Sequence, residues 1–180
     1  VVLSPGDPIE LVKAVKAAAE HVGPVYLRVG SPPIPVLYGS EEDCPFQIGR
    51  GIVMLDGKDV TLITYSRMVL RALEAAETLA KEGIDVEVID LRSLKPLDTD
   101  AIINSVKKTG RVVGVTEAYE NTSFINEVMA VINDLAFDYL DAPMVRVAAA
   151  NVPVPRAEIL EDMAIPNVNR IVEACRKVVS

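Results

Sequence analysis

The sequence has no tryptophan, one histidine and two cysteines, and aromatic residues make up only 4% of it. Cys44 and Cys175 lie far apart with no CxxC spacing, so a structural zinc site fails on ligand count. They read as two ordinary thiols of a reducing compartment. His21 falls near the end of the first expected helix, where an imidazole can meet terminal carbonyls. It has no second His or Cys beside it and is assigned no acid–base work. A Ser-His-Asp set, a Walker loop and a GxGxxG turn are all missing. No apolar run is long enough to span a bilayer, so a membrane role is not expected. Acidic residues outnumber basic ones 26 to 18 and no Lys/Arg cluster occurs, which argues against nucleic acid and anionic lipid as partners. An acidic surface can still receive a basic partner.

What the sequence does have is hydrophobic residues, 50% of its 180, enough for a packed core in one large domain or a domain plus part of another. It begins Val1-Val2 without methionine, which reads as a processed or trimmed start. Residues 1–30 read as strand, helix, strand: Asp7 is the N-cap, Pro8 the first helical residue, and Glu10 completes a capping box. Residues 31–49 hold prolines, glycines and the acidic run EEDC, and read as an extended linker. From residue 50 strands and helices alternate. DVTLITY is a strand, and the next helix takes Ser66 as N-cap and Gly83 as C-cap. IDVEVIDL follows, then a helix capped by Asp98 and closed by Lys107, Lys108 and Gly110. GRVVGV (110–115) precedes the helix SFINEVMAVINDLAF, and MVRVAA precedes a closing helix over NVNRIVEACRKVV. Such alternation predicts an α/β fold of three layers, a mostly parallel sheet with helices on both faces.

Three corners carry polar side chains. At TYSRMV, the hydroxyls of Thr64, Tyr65 and Ser66 stand with Arg67 at a helix start, an arrangement suited to an anion and similar to the phosphate loop of flavodoxins. Lacking glycines to wrap a phosphate, it reads more simply as a cap. At IDLRSLKPLD, Asp90, Arg92 and Lys95 read chiefly as turn and cap chemistry. At TEAYENTSF, Glu117, Tyr119, Glu120 and Asn121–Ser123 follow a strand. Glu117 and Glu127 do not define a carboxylate pair from spacing alone.

The run from GKDVTLITYSRMV through IDLRSLKPLD to SVKKTGRVVGVTE resembles the C-terminal domain of thiamine-diphosphate enzymes of the transketolase superfamily. YSRMV, IDLRSLKPLD, SVKKTGRVV and the tail motifs LDAP and VPVP are most similar to the beta subunit of 2-oxo acid dehydrogenases of the pyruvate, branched-chain and acetoin types. GPVYLRVG and PPIPV lean towards transketolases. The resemblance covers nearly the whole chain. It implies that residues 1–30 end a pyrimidine-binding-type domain, 31–49 link, and 50–180 form the transketolase C-terminal-like domain.

In that family the catalytic glutamate and the diphosphate-and-metal motif lie upstream of these segments. The resemblance therefore implies no catalytic, cofactor or metal residue in this chain, with thiamine diphosphate and Mg belonging to the parent enzyme. Its implied partners are the chain or domain carrying the thiamine-diphosphate site, further copies of itself and a lipoyl acyltransferase core. Its implied location is the cytoplasm, or the mitochondrial matrix in a eukaryote. A stand-alone interaction domain is the alternative from another class. Ser66, Arg67, Glu117 and Tyr119 are the candidate anion or interface corner, and Glu173, Arg176 and Lys177 the candidate partner contacts. The family's glycines at this corner are replaced by Ala118, Thr122, Ser123 and Ile125, whose side chains should redirect the loop and fill space. The corner then reads as a modified helix cap, not a catalytic loop.

Overall fold

A computed structural model describes residues 1–30 and 34–180. Eight strands, β1 (Val2–Leu3), β2 (Tyr26–Leu27), β3 (Ile52–Leu55), β4 (Val60–Thr64), β5 (Val86–Asp90), β6 (Ser93–Lys95), β7 (Val112–Tyr119) and β8 (Val145–Ala149), form two sheets. The larger has the order β3-β5-β4-β7-β8 and is parallel except for β3, which runs antiparallel along β5. The smaller, β2-β1-β6, joins the amino-terminal strands to β6 from the middle of the chain. The helices are α1 (Pro8–Glu20), α2 (Met68–Ala80), α3 (Thr99–Thr109), α4 (Phe124–Ala136), α5 (Glu158–Ala164) and α6 (Val168–Val179).

Alternation along the strands sets the layers. Val60, Leu62, Val86, Val88, Val113 and Val115 face one way and pack with α2 and α6. Ile63, Ile89, Leu91 and Val112 belong to the opposite core, with Ile102 and Val106 of α3 and Ile125, Val128 and Ile132 of α4. With both faces covered, every residue of β4 and β5 is buried, as expected of central parallel strands. The expected three-layer α/β fold is borne out.

Capping chemistry follows the sequence where the cap is short and local. Asp7 accepts from the amides of Ile9 and Glu10 at 2.6 and 3.1 Å. Asp98 caps α3 through the amide of Ala101 at 3.1 Å, and Gly110 ends α3 in the left-handed region, φ +65°. Two expectations are corrected. Glu10 reaches back past the N-cap to the amide of Gly6, at 2.6 Å. Ser66 is not the N-cap of α2: Arg67 holds that position without a side-chain capping bond to the helix, and Ser66 lies at φ +60° with its hydroxyl engaged elsewhere. The expected linker includes residues 31–33, outside the described ones; residues 34–49 contain no helix or strand. Further corrections concern β7, which runs on to Tyr119 rather than stopping at 115, and α5, a helix where none was expected.

Candidate functional site

The chain passes from β4 through α2 to β5 on one side, then crosses through α3 to β7 on the other. The carboxyl ends of β4 and β7 therefore flank the point where strand order reverses, the usual place for a ligand crevice in an open α/β sheet. Ser66 and Arg67 follow β4, and Glu117 lies near the end of β7.

The structure brings Ser66, Arg67 and Glu117 together and adds Arg28, one residue beyond β2, which the sequence reading left as an ordinary strand position. Glu117 is about nine-tenths buried and both its oxygens are occupied. Arg28 Nη2 donates to Oε1 at 2.6 Å, and Arg67 Nε donates to Oε2. Arg28 Nη1 also donates to the hydroxyl of Ser66 at 3.1 Å, which draws that hydroxyl away from the helix it was expected to cap. Arg67 continues to Glu161 of α5, Nη2 to Oε1, at 3.3 Å. Beneath this network Tyr65 shares a hydrogen bond with Thr116 at 2.9 Å and meets Phe124 edge-on at 6.4 Å. Tyr119 is 38% exposed and makes no side-chain bond to the cluster among the described residues.

Glu117 is thus the hub of an ion network drawing β2, β7, α2 and α5 to one point. A carboxylate with both oxygens engaged by cations has little to offer a substrate proton, and the arginines that would greet an anion are turned inward. Beside Arg67 an open groove of about 530 Å³ runs between Ile34 and Pro35 on one wall and Arg71, Glu161 and Asp162 on the other. Its lining mixes both signs of charge.

At the TEAYENTSF corner, Ser123 occupies the N-cap position of α4 in extended backbone, but its side chain bonds no helix amide. It lies 3.4 Å from Oδ1 of Asn126, which also receives Arg146 Nη1 at 2.6 Å. No residue from 118 to 125 has positive φ. The Ile125 side chain fills space as expected, though in the core against Gly114.

The IDLRSLKPLD corner differs most from its sequence reading. Asp90 and Arg92 are not surface turn residues: they are 2% and 1% exposed, and Glu10 of α1, also fully buried, approaches Arg92 Nε at 2.8 Å. The capping-box pattern had assigned Glu10 only a capping duty. The signal available in the sequence was the Asp-Leu-Arg order at the end of a β-branched strand, VEVID. In the closing helix, Arg176 pairs with Glu82 beyond the end of α2, which holds that carboxylate below the usual range. Glu173 and Lys177 share this exposed helix surface.

Comparison with known proteins places these features. Residues 49–171 match the family described as "Transketolase, C-terminal domain". The mitochondrial "Pyruvate dehydrogenase E1 component subunit beta" of Dictyostelium discoideum is 46% identical over 131 residues, 73% of this chain and 37% of that protein. The "Acetoin:2,6-dichlorophenolindophenol oxidoreductase subunit beta" of Cupriavidus necator is 44% identical over 146 residues, 78% of this chain and 43% of that protein. Both matches thus span less than half the length of the relative. A solved structure described as "Split gene transketolase, inactive beta4 tetramer" superposes with a TM-score of 0.89 at 33% identity, covering 99% of this chain and 57% of the other.

Proposed function

The chain belongs to the transketolase C-terminal domain family, and from that premise we propose that it is the assembly portion of a thiamine-diphosphate-dependent 2-oxo acid dehydrogenase beta subunit. In this reading residues 50–180 are the family domain, 31–49 a linker, and 1–30 the end of a pyrimidine-binding-type domain. The observation that carries it is the closed corner: Arg28 and Arg67 converge on Glu117, making the strand-reversal point an internal joint. Ser66, Arg67 and Glu117 then act as an interface corner holding the amino-terminal segment in place, with Tyr119 at its rim.

In this reading thiamine diphosphate and its metal are held elsewhere in the parent enzyme. Among the described residues no group of three His, Cys, Asp or Glu stands close enough to hold a metal ion. The cofactor would belong to a partner chain or domain. The acidic balance of the chain suits a basic module of a lipoyl acyltransferase core, and the exposed face around Glu173, Arg176 and Lys177 is a separate candidate contact. The higher identity to dehydrogenase beta subunits puts this reading ahead of transketolase, which the 33%-identical structure keeps second.

Assembly is the testable core. Ile159 (78% exposed), Met163 (72%) and Tyr26 (64%) present apolar surface of the kind that interfaces cover. Sedimentation velocity on the purified chain at about 100 μM, well above the Kd expected of a specific interface, should show a dimer or larger species. A clean monomer there would overturn the assembly reading. The double change Ile159→Glu and Met163→Glu should shift the distribution towards monomer if α5 carries the contact.

A further inference from the structure

The corner after β5 holds a second set of buried charges, separate from the Glu117 network. Arg92, at φ +41°, sends its guanidinium between α1 and the segment 34–49. Nη2 donates to the Tyr38 hydroxyl at 2.9 Å, Nη1 donates to the carbonyl of Pro45, and the ring of Phe46 lies 5.5 Å away. Its Nε lies 2.8 Å from Glu10 Oε1 without hydrogen-bond alignment, so the two meet as a charge contact. Asp90 accepts the amide of Arg92 at 3.0 Å, and its Oδ2 lies beside Gly6, whose amide donates to Glu10 Oε2 at 2.6 Å, so the two carboxyls converge there. Main-chain contacts join the same place: Ser4 N–H donates to Arg92 O at 2.8 Å, and β1 pairs with β6.

Charge counting exposes a problem. Two carboxyls face one guanidinium in a space closed to water, and an unbalanced buried charge is costly. Among the described residues no second cation is at hand. From α1, Asp7 adds a further carboxylate, satisfied by the amides of Ile9, Glu10 and Leu37, while Lys13 forms no ion pair with Glu10 or Asp90 among the described residues. From the segment 34–49, Tyr38 and Cys44 are pushed up by burial and stay neutral. β1 contributes no titratable side chain.

We propose that Glu10 and Asp90 share one proton beside Arg92, and that this proton latches the amino-terminal strand and helix to the larger sheet, loosening them as pH rises. The cause is physical. Burial pushes both carboxyls up, and for Asp90 the neighbouring Glu10 adds to the push, while Arg92 offsets only part of it. A group with a raised carboxyl pKa binds more protons when latched than when open. The latch is therefore strongest below the ordinary carboxylate range, near 4, and weakens as pH climbs through the raised range of the pair.

The test is amide hydrogen exchange at Ser4, corrected for intrinsic rates, from pH 5 to 8 in the wild-type chain and in Asp90→Asn. Asparagine keeps an acceptor for the Arg92 amide and can donate to Glu10, leaving Glu10 and Arg92 as a neutral pair. In wild type the opening constant should rise by up to about tenfold per pH unit within the window, and in Asp90→Asn it should stay flat. Equal slopes in the two proteins would overturn the proposal. Should the variant not fold, carboxyl ¹³C NMR of the wild type decides: one of the two resonances titrates above the ordinary range if the proton is shared. Both titrating near 4 would refute it.

Discussion

Arg92 shows how much one side chain can hold at a backbone angle that non-glycine residues rarely take. A left-handed residue costs about 1–3 kcal/mol, and here it delivers the guanidinium to Glu10, Tyr38 and Pro45 at once. Truncating Arg92 to alanine would leave two buried carboxyls without their cation. Urea unfolding should show a loss of about 3–5 kcal/mol for Arg92→Ala at neutral pH, shrinking in acid as the pair becomes fully protonated. Glu117 is the other single residue on which several elements depend, but its arginines are partly wet, Arg28 being 38% exposed. Replacing it by glutamine should cost less, about 2 kcal/mol by thermal denaturation, because solvent can rescue Arg28. Glu117 was singled out by the sequence, but Arg92 and Arg28 were not legible in these roles: Arg92 read as a turn residue and Arg28 as an ordinary strand position. What escaped was the tertiary juxtaposition of charges 82 and 89 positions apart in the chain.

At the scale of elements the sequence was a good guide wherever one local rule sufficed. Asp7, Asp98 and Gly110 do what their types do at helix ends, and the β-branched runs of β4 and β5 became central strands. It failed where a distant partner took the group away, as Arg28 takes the Ser66 hydroxyl. α5 was missed because its apolar residues Ile159 and Met163 face outward and give no buried periodicity to read. The packing of β7 on α4 offers a sharper test. A Cβ added at Gly114 would sit 2.4 Å from Ile125 Cγ2, so the replacement of a family-type glycine by Ile125 depends on the smallest residue opposite. Gly114→Ala should destabilise by about 1–3 kcal/mol, and adding Ile125→Val should recover part of it in a double-mutant cycle. Strict additivity would mean that the strand shifts instead.

For the molecule as a whole, the chain belongs to the transketolase C-terminal domain family, and the reading proposed for it is a domain that organises chemistry done elsewhere. Calorimetric titration with thiamine diphosphate and Mg should give no saturable heat, and a saturable isotherm would overturn that division of labour. The small sheet has a consequence for synthesis. β1 comes near the amino end of this sequence, but its antiparallel partner β6 begins at Ser93. At roughly 5–20 residues per second on the ribosome, an exposed β1 waits about 5–20 s for that partner to be made. Until then, among the described residues that precede Ser93, β1 pairs with β2, a two-residue strand. Translation is thus a stage at which a chaperone or a sister polysome chain can capture the edge that Ser93–Lys95 later covers.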